Sequence, residues 1–178
     1  DLTDYRDVET LNAYTEKASL GETEADILAA IRQKSRDNAR TPMQWDASPH
    51  AGFSTATPWI PVPENHTSIN VEAALADSDS VFYHYKKLIH LRKQYDVLTN
   101  GIYRLLTPDD LALWAYERIT DEERLLVLSN FYGTTTSFTL PDEWLDHQIL
   151  IQNYPDVLEM SGQVTLRPYE SLMLYQTT

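Results

Sequence analysis

Cysteine is absent from the 178 residues, which rules out disulfide staples and thiolate metal sites. Positive charge is scarce: 14 Lys and Arg stand against 27 Asp and Glu, leaving a net charge of −13 that repels nucleic acid and anionic membranes. An acidic, cysteine-free chain suits a reducing compartment, and a cytoplasmic location is expected. No apolar run approaches the roughly 20 residues needed to cross a bilayer. The five glycines, Gly21, Gly52, Gly101, Gly133 and Gly162, never cluster, so no phosphate-cradling or dinucleotide loop is built. His50, His66, His84, His90 and His147 lack any ligand spacing, and no Gly-x-Ser-x-Gly elbow occurs. Neither a metal nor a cofactor is therefore expected. Asp109-Asp110 and Glu122-Glu123 are paired carboxylates, but both fall in turn-like stretches. A pair of acids that works as general acid and base must converge on one bond inside a concave site, so these pairs read as solvated turn residues.

What the chain does have is concentrated in residues 35–46. Two arginines, two aspartates, an asparagine and a tryptophan fall within twelve positions, where a helical pattern breaks. Pro42 forces Thr41 towards extended geometry, so Arg36 and Arg40 sit at a helix-to-loop corner. Residue types alone leave two readings open, an Arg–Asp ion pair bracing a long loop and a buried polar corner that binds a ligand.

Periodicity sets out the rest. Residues 1–20 read as a helix capped by Thr3 or Asp4, with Val8, Leu11 and Tyr14 as its apolar stripe. Thr23-Glu24-Ala25-Asp26 is a capping-box variant before Ile27, Leu28 and Ile31, giving a second helix to about Lys34. Residues 41–65 hold five of the nine prolines with Trp45, Phe53 and Trp59 between them, which predicts an ordered, aromatic-anchored loop. A helical turn over 69–76 precedes a helix over 79–95, capped by Asp77 or Ser78. Its face of Val81, Phe82, Tyr85, Leu88, Ile89 and Arg92 needs a partner layer, and left bare it favours self-association.

At Asn100-Gly101 the period changes to two. Seven strands are expected, at 102–106, 111–119, 125–131, 137–140, 148–152, 163–166 and 172–175. Turn residues separate them at 108–110, 121–123, 133, 141–142, 155–156 and 161–162. Short strands with short connections predict an antiparallel sandwich of about 80 residues.

Ser35-Arg36-Asp37-Asn38-Ala39-Arg40-Thr41-Pro42-Met43-Gln44-Trp45-Asp46, with Ala51-Gly52-Phe53 and Thr57-Pro58-Trp59-Ile60 after it, resembles the α-amylase superfamily. Within it the likeness is to the oligo-1,6-glucosidase and trehalose-6-phosphate hydrolase branch. Asp4-Tyr5-Arg6-Asp7-Val8-Glu9-Thr10-Leu11-Asn12, Ile69-Asn70-Val71, Leu91-Arg92-Lys93 and Leu166-Arg167-Pro168-Tyr169-Glu170 fit the same branch. The resemblance covers nearly the whole chain and the C-terminal third of the family.

It implies an α+β chain: residues 1–98 supply helices and a long loop from the end of a (β/α)8 barrel, and residues 99–178 form the all-β C-terminal sandwich. The chain opens at Asp1-Leu2-Thr3-Asp4 with neither an initiator methionine nor a signal-peptide pattern, and is expected to be cut from a longer protein whose N-terminal barrel is its partner. The implied activity is that of a retaining α-glucosidase acting on terminal α-1,6 bonds of isomalto-oligosaccharides, with trehalose-6-phosphate hydrolysis as the alternative. The family's catalytic carboxylates belong to motifs before Asp1, so no catalytic residue is assigned here. Arg40 matches the arginine that reaches the glucose in the bond-cleaving subsite, Glu9 is placed towards the aglycone, and Arg36 and Asp37 brace the corner. A reading of another class is a non-catalytic carbohydrate-binding or interaction module, with Tyr103, Trp114, Tyr116 and Trp144 as a stacking platform. Trp114 and Tyr116 share one strand face, where core packing is the default.

Overall fold

Helix α1 (Val8–Ser19) begins later than the sequence suggests. Leu2–Asp4 form a separate 3-10 turn, and Tyr5 is extended at φ −87°, ψ 140°. The reason lies far along the chain: Asp37 takes the N–H groups of Arg6 and Asp7, which holds that segment outside the helix. The computed structural model describes residues 1–156, 160 and 162–178, and these divide into two compact units, Asp1–Ser80 and Val81–Thr178.

In the first unit α1 buries Thr10, while Val8 and Leu11 of the expected apolar stripe are exposed. Helix α2 (Glu24–Lys34) starts where its capping box places it, with the Thr23 hydroxyl accepting the Asp26 N–H at 3.3 Å. Ile27 and Ile31, one helical turn apart, form its buried edge.

The long loop after the corner is ordered, but not by its aromatics. Trp45 and Phe53 are about half exposed and Trp59 more so, whereas Ala51 and Ile60 are buried. Backbone bonds do the ordering: Trp45 N–H to the Ala51 carbonyl at 2.9 Å, Val71 N–H to Gln44 at 2.9 Å and Glu72 N–H to Trp45 at 3.0 Å. Gln44 Nε2 also donates to the Ile69 carbonyl. His50, Ala51 and Gly52 are all left-handed, at φ 57°, 56° and 63°. A Cβ at Gly52 would come within 2.5 Å of Asp46 Oδ2, so only glycine fits there. Helix α3 (Val71–Ala76) follows, capped by Asn70 Oδ1 accepting the Ala73 N–H at 2.8 Å.

The second unit opens with α4 (Val81–Gln94) and α5 (Val97–Asn100). Leu91 of α4 and Val97 of α5 pack with Leu125, Val127, Leu150, Ile151 and Met173 of the sheet. This packing draws α4 into the unit of the strands, whereas the 98/99 division expected above would leave it with the first. Val81, Phe82, Tyr85 and Ile89 of its expected face are exposed.

Among the described residues seven strands follow, in the places the period-two pattern predicts. These are β1 (Ile102–Leu105), β2 (Leu113–Ile119), β3 (Glu123–Asn130), β4 (Thr136–Thr139), β5 (Gln148–Gln152), β6 (Gln163–Leu166) and β7 (Ser171–Thr177). All pairings are antiparallel, in a five-stranded sheet β1-β2-β3-β7-β5 and a two-stranded sheet β4-β6. Ser161 of the expected turn at 161–162 lies outside the described residues.

The two sheets enclose Leu113, Ala115, Leu126, Leu128, Phe138, Trp144, Val164, Leu166, Leu172 and Leu174. Strand β3 is buried on both faces, with Leu126 and Leu128 towards the second sheet and Leu125 and Val127 towards the helices. Its unbroken apolar run Leu125-Leu126-Val127-Leu128 has that cause. Among the described residues no helix is long and apolar enough to cross a membrane.

Candidate functional site

Ser35 leaves α2 in extended geometry, and its hydroxyl oxygen accepts the Asp37 N–H at 3.3 Å. The short 3-10 turn Arg36–Ala39 that this cap starts carries Asp37 into the interior. Asp37 divides its two oxygens between two tasks. Oδ2 accepts the N–H groups of Arg6 at 2.6 Å and Asp7 at 2.9 Å, while Oδ1 faces Arg40 Nη1 at 3.5 Å.

Asp7, also buried, repeats the pattern. Its Oδ1 lies 3.8 Å from the same Nη1, and its Oδ2 accepts the Thr10 hydroxyl at 2.9 Å. Thr10 Oγ1 is 3.0 Å from Ser35 Oγ, which closes the network back to the start of the turn. Both buried carboxylates are thus hydrogen-bonded and share one guanidinium, the condition under which buried charge is tolerated. Burial pushes the Asp37 carboxyl up, but the N–H groups of Arg6 and Asp7 and the Arg40 charge outweigh it and hold the group below the ordinary carboxylate range. Asp37 is therefore an anion at neutral pH.

Arg40 itself is 43% exposed. Its Nη1 is held from below, and among the described residues Nη2 and Nε make no hydrogen bond. Those donors lie in the fixed plane of the fork and are open to a ligand. Arg36 does something different: its Nη2 pairs with Glu9 Oε1 at 3.0 Å, with both side chains more than half exposed. Glu9, two residues beyond Asp7, has Arg36 as its partner and makes no contact with Arg40 among the described residues. Sequence reasoning missed Asp7 and Thr10, although an acid just before a helix and a hydroxyl three positions on is a legible end-of-helix signal.

The remaining candidates fall in the second unit. Trp144 is fully buried, which removes it from any stacking platform. Trp114 and Tyr103 are about half exposed and Trp114 Nε1 donates to Tyr103 Oη at 3.2 Å. Core packing, expected of Trp114 and Tyr116, holds for Tyr116 alone, which is half-buried against the cluster of Leu125 and Val127, while Leu113, Ala115 and Glu117 occupy the opposite, buried parity of β2. One member of each carboxylate pair is structural, while Asp109 and Glu122 are exposed as expected. Asp110 Oδ1 accepts the N–H groups of Ala112 and Leu113, and Glu123 accepts the Val97 N–H at 2.8 Å and the Tyr175 hydroxyl at 2.9 Å. Among the described residues no group of His, Asp and Glu could hold a metal ion.

The family model "Alpha amylase, catalytic domain" matches residues 5–101, which include the whole arginine corner, and "Alpha-amylase SusG C-terminal domain" matches residues 113–173. The chain belongs to the α-amylase family. This α-amylase family chain is 50% identical to the trehalose-6-phosphate hydrolase of Bacillus subtilis (strain 168), over 97% of its own length and 31% of that protein's. It is 48% identical to the oligo-1,6-glucosidase of Parageobacillus thermoglucosidasius, over 96% and 31%. The crystal structure of Bacillus licheniformis trehalose-6-phosphate hydrolase matches with a TM-score of 0.94 at 47% identity, covering 100% of this chain and 33% of that one. The chain spans about a third of the length of these relatives.

Proposed function

We propose that this chain supplies the arginine corner and C-terminal sandwich of a retaining α-glucosidase that cleaves terminal α-1,6-glucosidic bonds of isomalto-oligosaccharides. The observation that carries the reading is Arg40, clamped through Nη1 by two buried carboxylates while Nη2 and Nε stay open. A guanidinium so held offers two parallel donors, which suits the adjacent hydroxyls of a terminal glucose. Retaining glycosidases work with two carboxylates about 5 Å apart, one as nucleophile and one as acid and base. Those belong to the preceding barrel in this reading, and Arg40 contributes by fixing the sugar in front of them. Glu9, held by Arg36 beside the corner, faces the aglycone.

Hydrolysis of trehalose 6-phosphate is the second reading, because a relative of that name matches at 50% and an oligo-1,6-glucosidase at 48%. The location proposed is the cytoplasm, on the lack of cysteine and the charge of −13. The test is the whole enzyme supplied separately with isomaltose and with trehalose 6-phosphate, the anomer of released glucose being followed by NMR. Isomaltose cleavage releasing α-glucose first is expected. Cleavage of trehalose 6-phosphate alone assigns the second reading, and inertness towards both overturns the proposal.

A further inference from the structure

We infer that Asp37 and Asp7 are positioning residues for Arg40, aiming the guanidinium at the sugar rather than only balancing its charge; this rests on the sugar-binding reading of Arg40. The geometry shows the aiming. Arg40 N–H donates to the Asp37 carbonyl at 3.0 Å, which fixes the base of the side chain. At the far end a single nitrogen, Nη1, lies between Asp37 Oδ1 at 3.5 Å and Asp7 Oδ1 at 3.8 Å. A side chain normally free to sample many rotamers is thereby held at both ends.

The second oxygens give the carboxylates their own rigidity. Asp37 Oδ2 is pinned by two backbone N–H groups, and Asp7 Oδ2 by the Thr10 hydroxyl. Both carboxylates are thus tied through their second oxygens to groups other than Arg40. Charge balance alone would need no such division of oxygens, since an exposed surface carboxylate neutralises an arginine equally well, as Glu9 does for Arg36.

The division also supplies the test. In Asp37→Asn the amide oxygen still accepts the N–H groups of Arg6 and Asp7, but its NH2 meets Arg40 Nη1, donor against donor. Asp7→Asn acts likewise, keeping the Thr10 bond. Each exchange is made in the whole enzyme alone and with Arg40→Lys, and kcat, KM and melting temperature are measured for all. Each Asn variant is expected to lose roughly 10-fold in kcat/KM, while melting shifts by only a few degrees. Combined with Arg40→Lys, each is expected to cost nothing further beyond about twofold, because the aimed group is already gone.

Losses that multiply in the double variants overturn the inference, as does an Asn exchange that leaves kcat/KM unchanged while Arg40→Lys lowers it. A kinetically silent Arg40→Lys instead overturns the sugar-binding reading beneath. If Asp37→Asn does not fold, the Asp7→Asn cycle decides alone, coupling upholding the clamp and additivity removing it.

Discussion

Trp144 Nε1 donates to Glu117 Oε1 at 2.6 Å, with both side chains wholly shielded from water. Arg104 Nε reaches Glu117 Oε2 at 2.8 Å, and Arg124 Nη2 approaches Oε1 at 3.4 Å. A carboxyl group thus sits in the core of the sandwich with three side chains bonded to it, so removing it strands an indole N–H and two guanidiniums. Glu117→Ala is expected to destabilise the second unit by about 3 kcal/mol or more, read as a lower urea midpoint. A change below roughly 1 kcal/mol would mean that water replaces the carboxylate without cost.

The two arginines of the corner are expected to separate in the whole enzyme. Arg40→Lys replaces a clamped fork by a mobile point charge and is expected to lower kcat/KM by roughly 100-fold, about 3 kcal/mol of transition-state binding. Arg36, taken from the sequence as a brace, is half of an exposed pair with Glu9. Such pairs contribute about 0–1 kcal/mol, so Arg36→Lys is expected to leave the melting temperature nearly unchanged. Steady-state kinetics and calorimetry on both variants check this, and exchanged phenotypes would transfer the sugar contact to Arg36.

Stability should fall at both ends of the pH scale. Asp37, Asp46 and Asp156 have carboxyls held below their ordinary value: Asp46 by the Ser48 hydroxyl and N–H, Asp156 by the Arg167 guanidinium, Asp37 as described above. Depressed folded values give stability that is present above the unfolded value near 3.9 and lost as pH drops through the folded ones.

Tyr175 moves the other way. Burial, with the hydrogen bond to Glu123 added, pushes its hydroxyl up to about 12. Its share is complete below the ordinary value near 10 and disappears as pH climbs through 12. Urea midpoints should therefore plateau between these limits, and Tyr175→Phe should flatten the alkaline limb.

The 178 residues studied alone are expected to hydrolyse no p-nitrophenyl α-glucoside and to bind no isomaltose. They are also expected to self-associate, because Val81, Phe82, Tyr85 and Ile89 on α4 stand exposed. Sedimentation, calorimetric titration and hydrogen exchange together check this. A strict monomer with uniform protection across residues 1–98 would contradict it, and measurable isomaltose affinity would favour a binding module with Tyr103 and Trp114 at its centre.

The strands were legible because a sandwich repeats its burial every two residues, and Leu113, Ala115, Leu126 and Leu128 follow that rule within a few positions. Glu117 shares the parity of Leu113 and Ala115, so its inward aim was written in the spacing even though its charge suggested the surface. The start of α1 was not legible, since the acceptor that holds Arg6 and Asp7 out of the helix comes 30 residues later. Trp45, Phe53 and Trp59 misled for a related reason: aromatic character signals a need for burial and says nothing about which residues meet it. Arg40 was recognisable by type and motif, and Asp37 as a brace of the same corner, but the part of Asp7 in the clamp only by tertiary geometry.

The reach of Asp37 back to Arg6 and Asp7 has a consequence for portability. Residues 35–46 look like a self-contained cassette, yet half of what orients Arg40 comes from the segment before α1. Grafting those twelve residues into another barrel would carry over the chemical group without its bearing. A working transplant would need residues 6–10 as well, docked in the same register, so the unit of inheritance at this corner is a pair of distant strips rather than a motif.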